Sequence, residues 1–506
     1  MESTSRFSLA IAVGAVCALL AVHFGDAARW PVLFGVGGLA FWALREPATG
    51  LLASLPLVFM IHPTPTEPGW REFGFVIVLA IGGSASLWQK RSVLPGFARE
   101  VWWVILGAGT VLGANIATAA SHGVPTSDWM RGAIPFVFVL SLIPVFLEAR
   151  SNEVFKAAWL WAAIVTAGLF SWHVVSYFVS EQLWNPYSYT FDNGTWTRLD
   201  GNTLKTTVAP VFEFKARVTQ LVQQATDAFL PLGYVWGVWL VLWGRSQVIR
   251  SAGFALVILS IVAMILTYTR SMLLAAWAVG GLLMLFAAFA GAWRKVVIAA
   301  LITVFTASAT VAVFDLEDVY LNRIFLLRQA LNAVTEKQAT SSGQEAPHEE
   351  RGGQAGVLPG NTVNDANVNS RMEEYQTAWS MFLESPILGQ GLGIRHTISF
   401  ETGHGEMLTV SVGYVHNWIF YVLMVGGGVG LLAYSLILFG PAVLVFRSLA
   451  DDREQALAII ATVIALALYA CFFAVFRLIS FNLLLGGLWG LALAMRQDQK
   501  AVELRA

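Results

Sequence analysis

Apolar runs long enough to cross a lipid bilayer recur along almost the whole of this 506-residue chain, and that repetition narrows its fold more than any other feature. A helix needs about 20 predominantly apolar residues to span the hydrocarbon core. No water reaches the backbone there, so each run must close its own hydrogen bonds as a helix. The expected fold class is therefore all-α, a polytopic transmembrane helical bundle of about 12 to 14 spans. Composition agrees: charged residues make up 12% of the chain, against about 25% in soluble proteins. The net charge of −1 and the lack of a basic face argue against a nucleic-acid partner. Cys17 and Cys471 lie far apart in apolar runs, which offers neither a disulfide framework nor a thiolate metal site.

The first run, 8–25, precedes a GDAA stretch that resembles a signal-peptide cleavage site. The next run starts at once, so the first helix is expected to stay as an insertion signal. With both termini inside, the inner segments hold Arg6, Arg45, Lys90, Arg91, Arg99, Arg150, Lys156, Arg245, Arg250, Arg294, Lys295, Arg447, Arg453, Arg496, Lys500 and Arg505. The short outer turns hold Arg29, Arg71, Arg131, Arg270 and Arg477, the asymmetry that sets orientation. The chain then divides into N-terminal transmembrane helices (1–180), a first outer loop (181–224), central transmembrane helices (225–314), a large outer loop (315–411) and C-terminal transmembrane helices (412–506).

In the first outer loop, Tyr187, Tyr189 and Phe191 alternate with polar residues up to Asn193-Gly194, and Trp196 follows. An Asn-Gly pair between such runs predicts a β-hairpin. Its aromatic residues suit either a lid on the membrane surface or a sugar-binding face. The second loop reads as a helix at 315–334, carrying Leu321, Ile324, Phe325 and Arg328, followed by a flexible polar insert at 335–370. A further helix is expected to open at Ser370, with Glu373 completing a capping box. Met372, Tyr375, Trp379 and Phe382 share one face of it, and Pro386 ends it.

Candidate chemistry gathers on the predicted outer side. Arg371 would occupy the first turn of that helix, where free N–H groups and a guanidinium can hold an anion; the plain alternative is a solvated arginine. Arg270, in TYTRSML between two apolar runs, is a functional candidate because an arginine near lipid is costly unless paired or snorkelling. Arg477 poses the same question, and Lys215 and Arg217 add positive charge on that side. Several cations on one face would bind phosphate or pyrophosphate. His416, between Tyr414 and Asn417 at the start of an apolar run, has the chemistry of a general base for a hydroxyl nucleophile. Trp196, Tyr414 and Asn417 complete the candidate substrate contacts. His396 and His404 lie upstream at spacings that match no metal motif, and GQGLG at 389–393 lacks the rest of a P-loop and reads as a turn.

Three pieces, in order, resemble the signature region of the O-antigen ligase and polymerase superfamily of bacterial envelope enzymes. TYTRS at 267–271 resembles its Thr-x-Ser/Thr-Arg segment. RMEEYQTAWSMFLESPILGQGLG resembles its arginine-led helix running into a Pro-x-x-Gly-x-Gly turn. His416-Asn417, nine residues and Gly427-x-x-Gly430 fit its ligase pattern. The resemblance implies a metal-independent glycosyltransferase, without a cofactor, in the bacterial inner membrane with its active site facing the periplasm. Such enzymes serve lipopolysaccharide and other envelope glycan synthesis. They take a glycan from undecaprenyl pyrophosphate and pass it to an acceptor hydroxyl with inversion. Carried over, His416 is the base and Arg270 and Arg371 hold the pyrophosphate, with Arg217 a looser match. The acceptor is lipid A core, a growing polysaccharide or a protein, and the motif does not separate them. The alternatives are a protein O-oligosaccharyltransferase and a small-anion transporter. A transporter should show broken helices, internal symmetry and charges deep in its spans, whereas here charges gather at the outer ends.

Overall fold

The computed structural model describes residues 2–61, 69–93, 109–179, 189–192, 195–200, 203–208, 227–267, 269–314, 362–401, 407–446, 449 and 452–503. The N-terminal part holds α1 (Glu2–Phe24), α2 (Arg29–Arg45), α3 (Pro47–Leu57), α4 (Trp70–Gln89), α5 (109–121), α6 (Thr126–Val137), α7 (Leu142–Ser151) and α8 (Glu153–Val179). Strands β1 (Tyr189–Asp192), β2 (Thr195–Asp200) and β3 (Thr203–Val208) follow. The central part is α9 (Phe229–Trp243), α10 (Gln247–Leu266), α11 (Arg270–Phe289) and α12 (Trp293–Val313). Then come α13 (Thr362–Glu384), β4 (His396–Glu401), β5 (Met407–Val412), α14 (Trp418–Val445), α15 (Arg453–Ala470) and α16 (Ile479–Glu503).

Among the described residues, ten helical segments are long and apolar enough to cross a membrane. The first, Ser3–Arg45, runs through both α1 and α2, and shorter apolar helices lie at Pro47–Met60 and Phe229–Trp243. The all-α polytopic expectation holds. The two short helices are apolar on every face, the pattern of an element surrounded by protein. Every residue of α3 is buried, and in α9 all but Trp239 and Trp243 are. Around α9 pack α8, α10, α11 and α15.

The bundle has two distinct ends. Helices α7 and α16 run side by side in the same direction: Ser141 donates to the Leu483 carbonyl, and Val145 lies against Gly490. The end where α7 finishes, with Lys90, Glu148 and Arg150, is therefore opposite the end where α15 passes into α16 through residues 471–478. Helix α15 begins at the former, where Asp452 caps it through the Gln455 N–H and Arg245 pairs with Glu454 at 3.2 Å.

The hairpin expected at Asn193-Gly194 is present: β1 and β2 pair antiparallel with Asp192 opposite Thr195, and β3 adds a third strand. A second hairpin, β4–β5, sits in the large loop, where the sequence reading anticipated only helices and an insert. One boundary needs correction. Helix α13 starts at Thr362, not Ser370, so the flexible insert does not reach 370 and the Ser370–Glu373 capping box is not a helix start. Residues 362–370 contain neither proline nor glycine, and extending a helix is easier than nucleating one. The expected helix at 315–334 and the insert up to 361 lie outside the described residues.

Candidate active site

The site is built on a broken helix. At Gly427 the backbone leaves the helical region (φ 60°, ψ −159°), and α14 folds into two arms, 418–426 and 428–445. The Trp418 ring lies 5.6 Å from Tyr434 and 6.3 Å from Phe439. A straight helix would put those residues about 24 and 31 Å away. Breaking a helix strands backbone groups, and here the turn after α13 takes them up. Gln390 and Gly391 donate to the carbonyls of Met424 and Val425 at 2.8 and 3.0 Å. Gly428 and Val429 donate to the carbonyls of Pro386 and Ile387 at 2.8 and 3.1 Å. The backbones come close enough that a Cβ on Gly427 would fall 2.4 Å from the Ile387 carbonyl. The two glycine motifs of the sequence are thus two halves of one clasp.

From the clasp, α13 and the first arm of α14 run together toward His416. Tyr375 of α13 stacks on Phe420 at 4.9 Å with planes 6° apart. Asn417 caps α14 through its side-chain oxygen, 2.9 Å from the Ile419 N–H. That commits the oxygen to the helix and leaves only the NH2 of this predicted substrate contact for a ligand.

At the far end of this pair, Glu374 joins two residues singled out from the sequence. Its Oε1 and Oε2 lie 3.0 and 3.1 Å from His416 Nδ1, and Arg371 Nη1 donates to Oε2 at 3.2 Å. The Glu374 side chain is 1% exposed, His416 19% and Arg371 40%. Burial pushes the Glu374 carboxyl up to about 7, against the downward pull of Arg371. An ionised carboxylate only accepts, so in that state Nδ1 of His416 carries the proton and Nε2 presents its lone pair. Arg371 engages Glu374 through Nη1, and its exposed fork has further donors for an anion. Its basis is different from that expected: Arg371 lies well inside α13, so the helix N-terminus plays no part.

Aromatic rings frame the imidazole. Tyr414 meets it edge-on at 4.9 Å and Phe473 at 6.3 Å. Arg477 lies over Tyr414 and Tyr421, its carbon 5.7 and 5.6 Å from the ring centroids, which leaves its in-plane donors to other partners. Arg270 opens α11 at this same end of the bundle. Helix α11 packs on α15, and Arg453 at the start of α15 stacks over Phe286 near the far end of α11. The first residue of α11 is therefore level with the last turn of α15, just before Phe473.

The structure thus brings together His416, Arg371, Tyr414 and Arg477 and places Arg270 at their end of the bundle. Lys215, Arg217 and His404 lie outside the described residues, and Trp196 is on β2 of the first hairpin. His396 is buried on β4, opposite Val412, and burial lowers its pKa. Glu374 escaped the sequence reading, which gave the adjacent Glu373 to a cap. The available signal was its place three residues after Arg371, on the same helix face.

No curated protein matches the chain. Residues 255–435 match a family model described as O-antigen ligase, a stretch that begins in α10 and ends in the second arm of α14. It contains Arg270, Arg371, Glu374, His416 and the break at Gly427. The chain is a multi-pass helical membrane protein whose residues 255–435 are similar to the O-antigen ligase family.

Proposed function

We propose that this protein transfers a glycan from undecaprenyl pyrophosphate to an acceptor hydroxyl, without a metal or cofactor, at the periplasmic face of the bacterial inner membrane. The acceptor oxygen bonds to the anomeric carbon from the side opposite the pyrophosphate. The bond to pyrophosphate breaks and its electron pair leaves with that group, so the configuration inverts. The hydroxyl proton passes to His416 Nε2. Glu374 holds the Nδ1 proton and stabilises the imidazolium that forms. Arg371 and Arg270 neutralise the leaving pyrophosphate, where stabilising developing charge contributes most. Arg477, Tyr414, Asn417 and, from the sequence before α9, Lys215 and Arg217 are the proposed further donor contacts, and Trp196 is a proposed sugar contact.

The observation that carries this reading is the Glu374 bridge between His416 and Arg371. It joins a group that can take a proton to a cation that can hold an anion, at one point beside a lipid-spanning bundle. A polysaccharide or lipid A-core acceptor is favoured over a protein one. Small-anion transport fits less well. A broken helix is a transporter feature, but here the exposed backbone groups of the break are spent on the turn 386–391.

The test is transfer from purified undecaprenyl-pyrophosphate glycan with EDTA present throughout. Wild type should be insensitive to EDTA. His416→Ala should lower the rate by about 10²–10⁴-fold and Arg270→Ala by about 10²-fold. Full activity in folded His416→Ala removes the base. A wild type that transfers no glycan but takes up small anions replaces this reading with transport.

A further inference from the structure

Helix α5 is mostly exposed but carries one buried amide. Leu112 and Ile116 are exposed, while Asn115 is 7% exposed and uses both ends of its side chain. Nδ2 donates to the Val425 carbonyl at 2.8 Å, and Oδ1 accepts from the Leu392 N–H at 2.8 Å and the Trp129 indole at 3.2 Å. The Val425 carbonyl is one of the groups stranded by the break at Gly427, and it also accepts from Gly391. A single side chain therefore ties α5 and α6 to both halves of the clasp, across sequence separations of 310 and 277 residues.

The turn is pressed backbone to backbone against the same wall. A Cβ on Gly391 (φ 94°) would lie 2.4 Å from Cα of Ala119 in α5. One on Gly393 would lie 2.5 Å from the Asp128 carbonyl carbon at the start of α6. The clasp can neither slide nor tilt while these contacts hold.

What depends on the clasp is the other end of the two helices. About 18 Å of helix separates Pro386 from Glu374, and about 16 Å separates Gly427 from His416. Two rods of similar length are fixed together at one end and meet at the other through a 3.0 Å contact. A small rotation at the fixed end is carried to the meeting point, and misplacement by about 1 Å costs about 10²-fold in rate. We infer that Asn115 is a positioning residue: by fixing the break of α14 against the turn after α13, it sets the alignment of Glu374 with His416. The inference rests on the transferase reading above. Asn115 itself touches none of the proposed reacting groups.

The experiment compares wild type, Asn115→Ala, Asn115→Asp and Gly391→Ala in proteoliposomes, with transfer kinetics across pH and amide hydrogen exchange. The expected result for Asn115→Ala is a kcat lowered about 10–100-fold with the donor KM within about twofold, because Arg371 and Arg270 remain. Amides of 390–392 and 428–429 should exchange faster than in wild type. The acid limb of kcat should move to lower pH, because Glu374 keeps Arg371 on its own helix but regains water as His416 and Tyr414 draw away from it. Asn115→Asp keeps both acceptor bonds but cannot donate to Val425, so it should fall between the two. Gly391→Ala should reproduce the alanine phenotype from the other side of the contact. Unchanged kcat in folded Asn115→Ala overturns the inference. So does a loss that follows only the amount of folded protein, with the acid limb unmoved. If wild type transfers nothing, the function reading falls by itself, and unchanged exchange at 428–429 in the variants then overturns the clasp as well.

Discussion

Two buried glutamates, at opposite ends of the bundle, make the same first contact and differ in what surrounds it. Glu148 pairs with Lys90 at 2.6 Å and accepts from Ser86 at 2.7 Å, joining α4 to α7. Glu374 pairs with Arg371 at 3.2 Å and faces His416 at 3.0 Å, joining α13 to α14. Lys90 also donates to the Leu147 carbonyl and Ser151, so its cluster is closed on itself. In the second cluster the cation is 40% exposed and the third member is an imidazole with a nitrogen to spare. A buried ion pair is weak evidence of either stability or function. What distinguishes the Glu374 cluster, among the described residues, is an imidazole nitrogen and a guanidinium fork not taken up by Glu374.

The comparison breaks if the two glutamates respond alike. The largest expected effect is on transfer: Glu374→Gln should lower kcat by about 10²–10³-fold, with folded protein recovered at wild-type yield. Glu148→Ala should show the reverse. It strands Lys90 in a mostly buried site and should destabilise by about 3 kcal/mol, read as a lower apparent Tm in detergent, while the surviving protein keeps its kcat. A smaller effect is expected from Arg371→Lys. The point charge survives but the fork does not, so the donor KM should rise about tenfold, a loss of about 1.4 kcal/mol, with the acid limb of kcat little moved.

Much of this was legible in the sequence, for identifiable reasons. Apolar length fixes spans because lipid leaves the backbone no other solution, and Asn193-Gly194 fixes a turn because few residues tolerate its backbone. Arg371, His416 and the two glycine motifs could be marked because residue type and spacing carry their chemistry. What they did together could not be read. The sequence has two adjacent glutamates, and only packing decides that Glu374 turns inward. Gly427 could be marked as part of a motif, but that it breaks a helix is seen only where Pro386–Gly391 occupies the break. Asn115 lies about 300 residues from its partners in the clasp, beyond any local pattern. The start of α13 was misplaced because a strong local cap signal at Ser370 was overridden by a helix already under way.

The most direct test is the pH dependence of kcat for wild type and Glu374→Gln with the same donor and acceptor. Burial holds the Glu374 carboxyl at about 7. Below that pH it is protonated and cannot hold the Nδ1 proton of His416 as a carboxylate, so wild-type activity should fall as pH drops through about 7. The same raised pKa makes the folded state bind a proton that the unfolded chain has released. Wild-type stability relative to Glu374→Gln should therefore decline as pH rises from about 4.5 to about 7 and level off above it. The expected outcome is an acid limb near neutrality in wild type and a low kcat without that limb in Glu374→Gln. A variant that keeps both the wild-type rate and the limb would contradict the role assigned to Glu374.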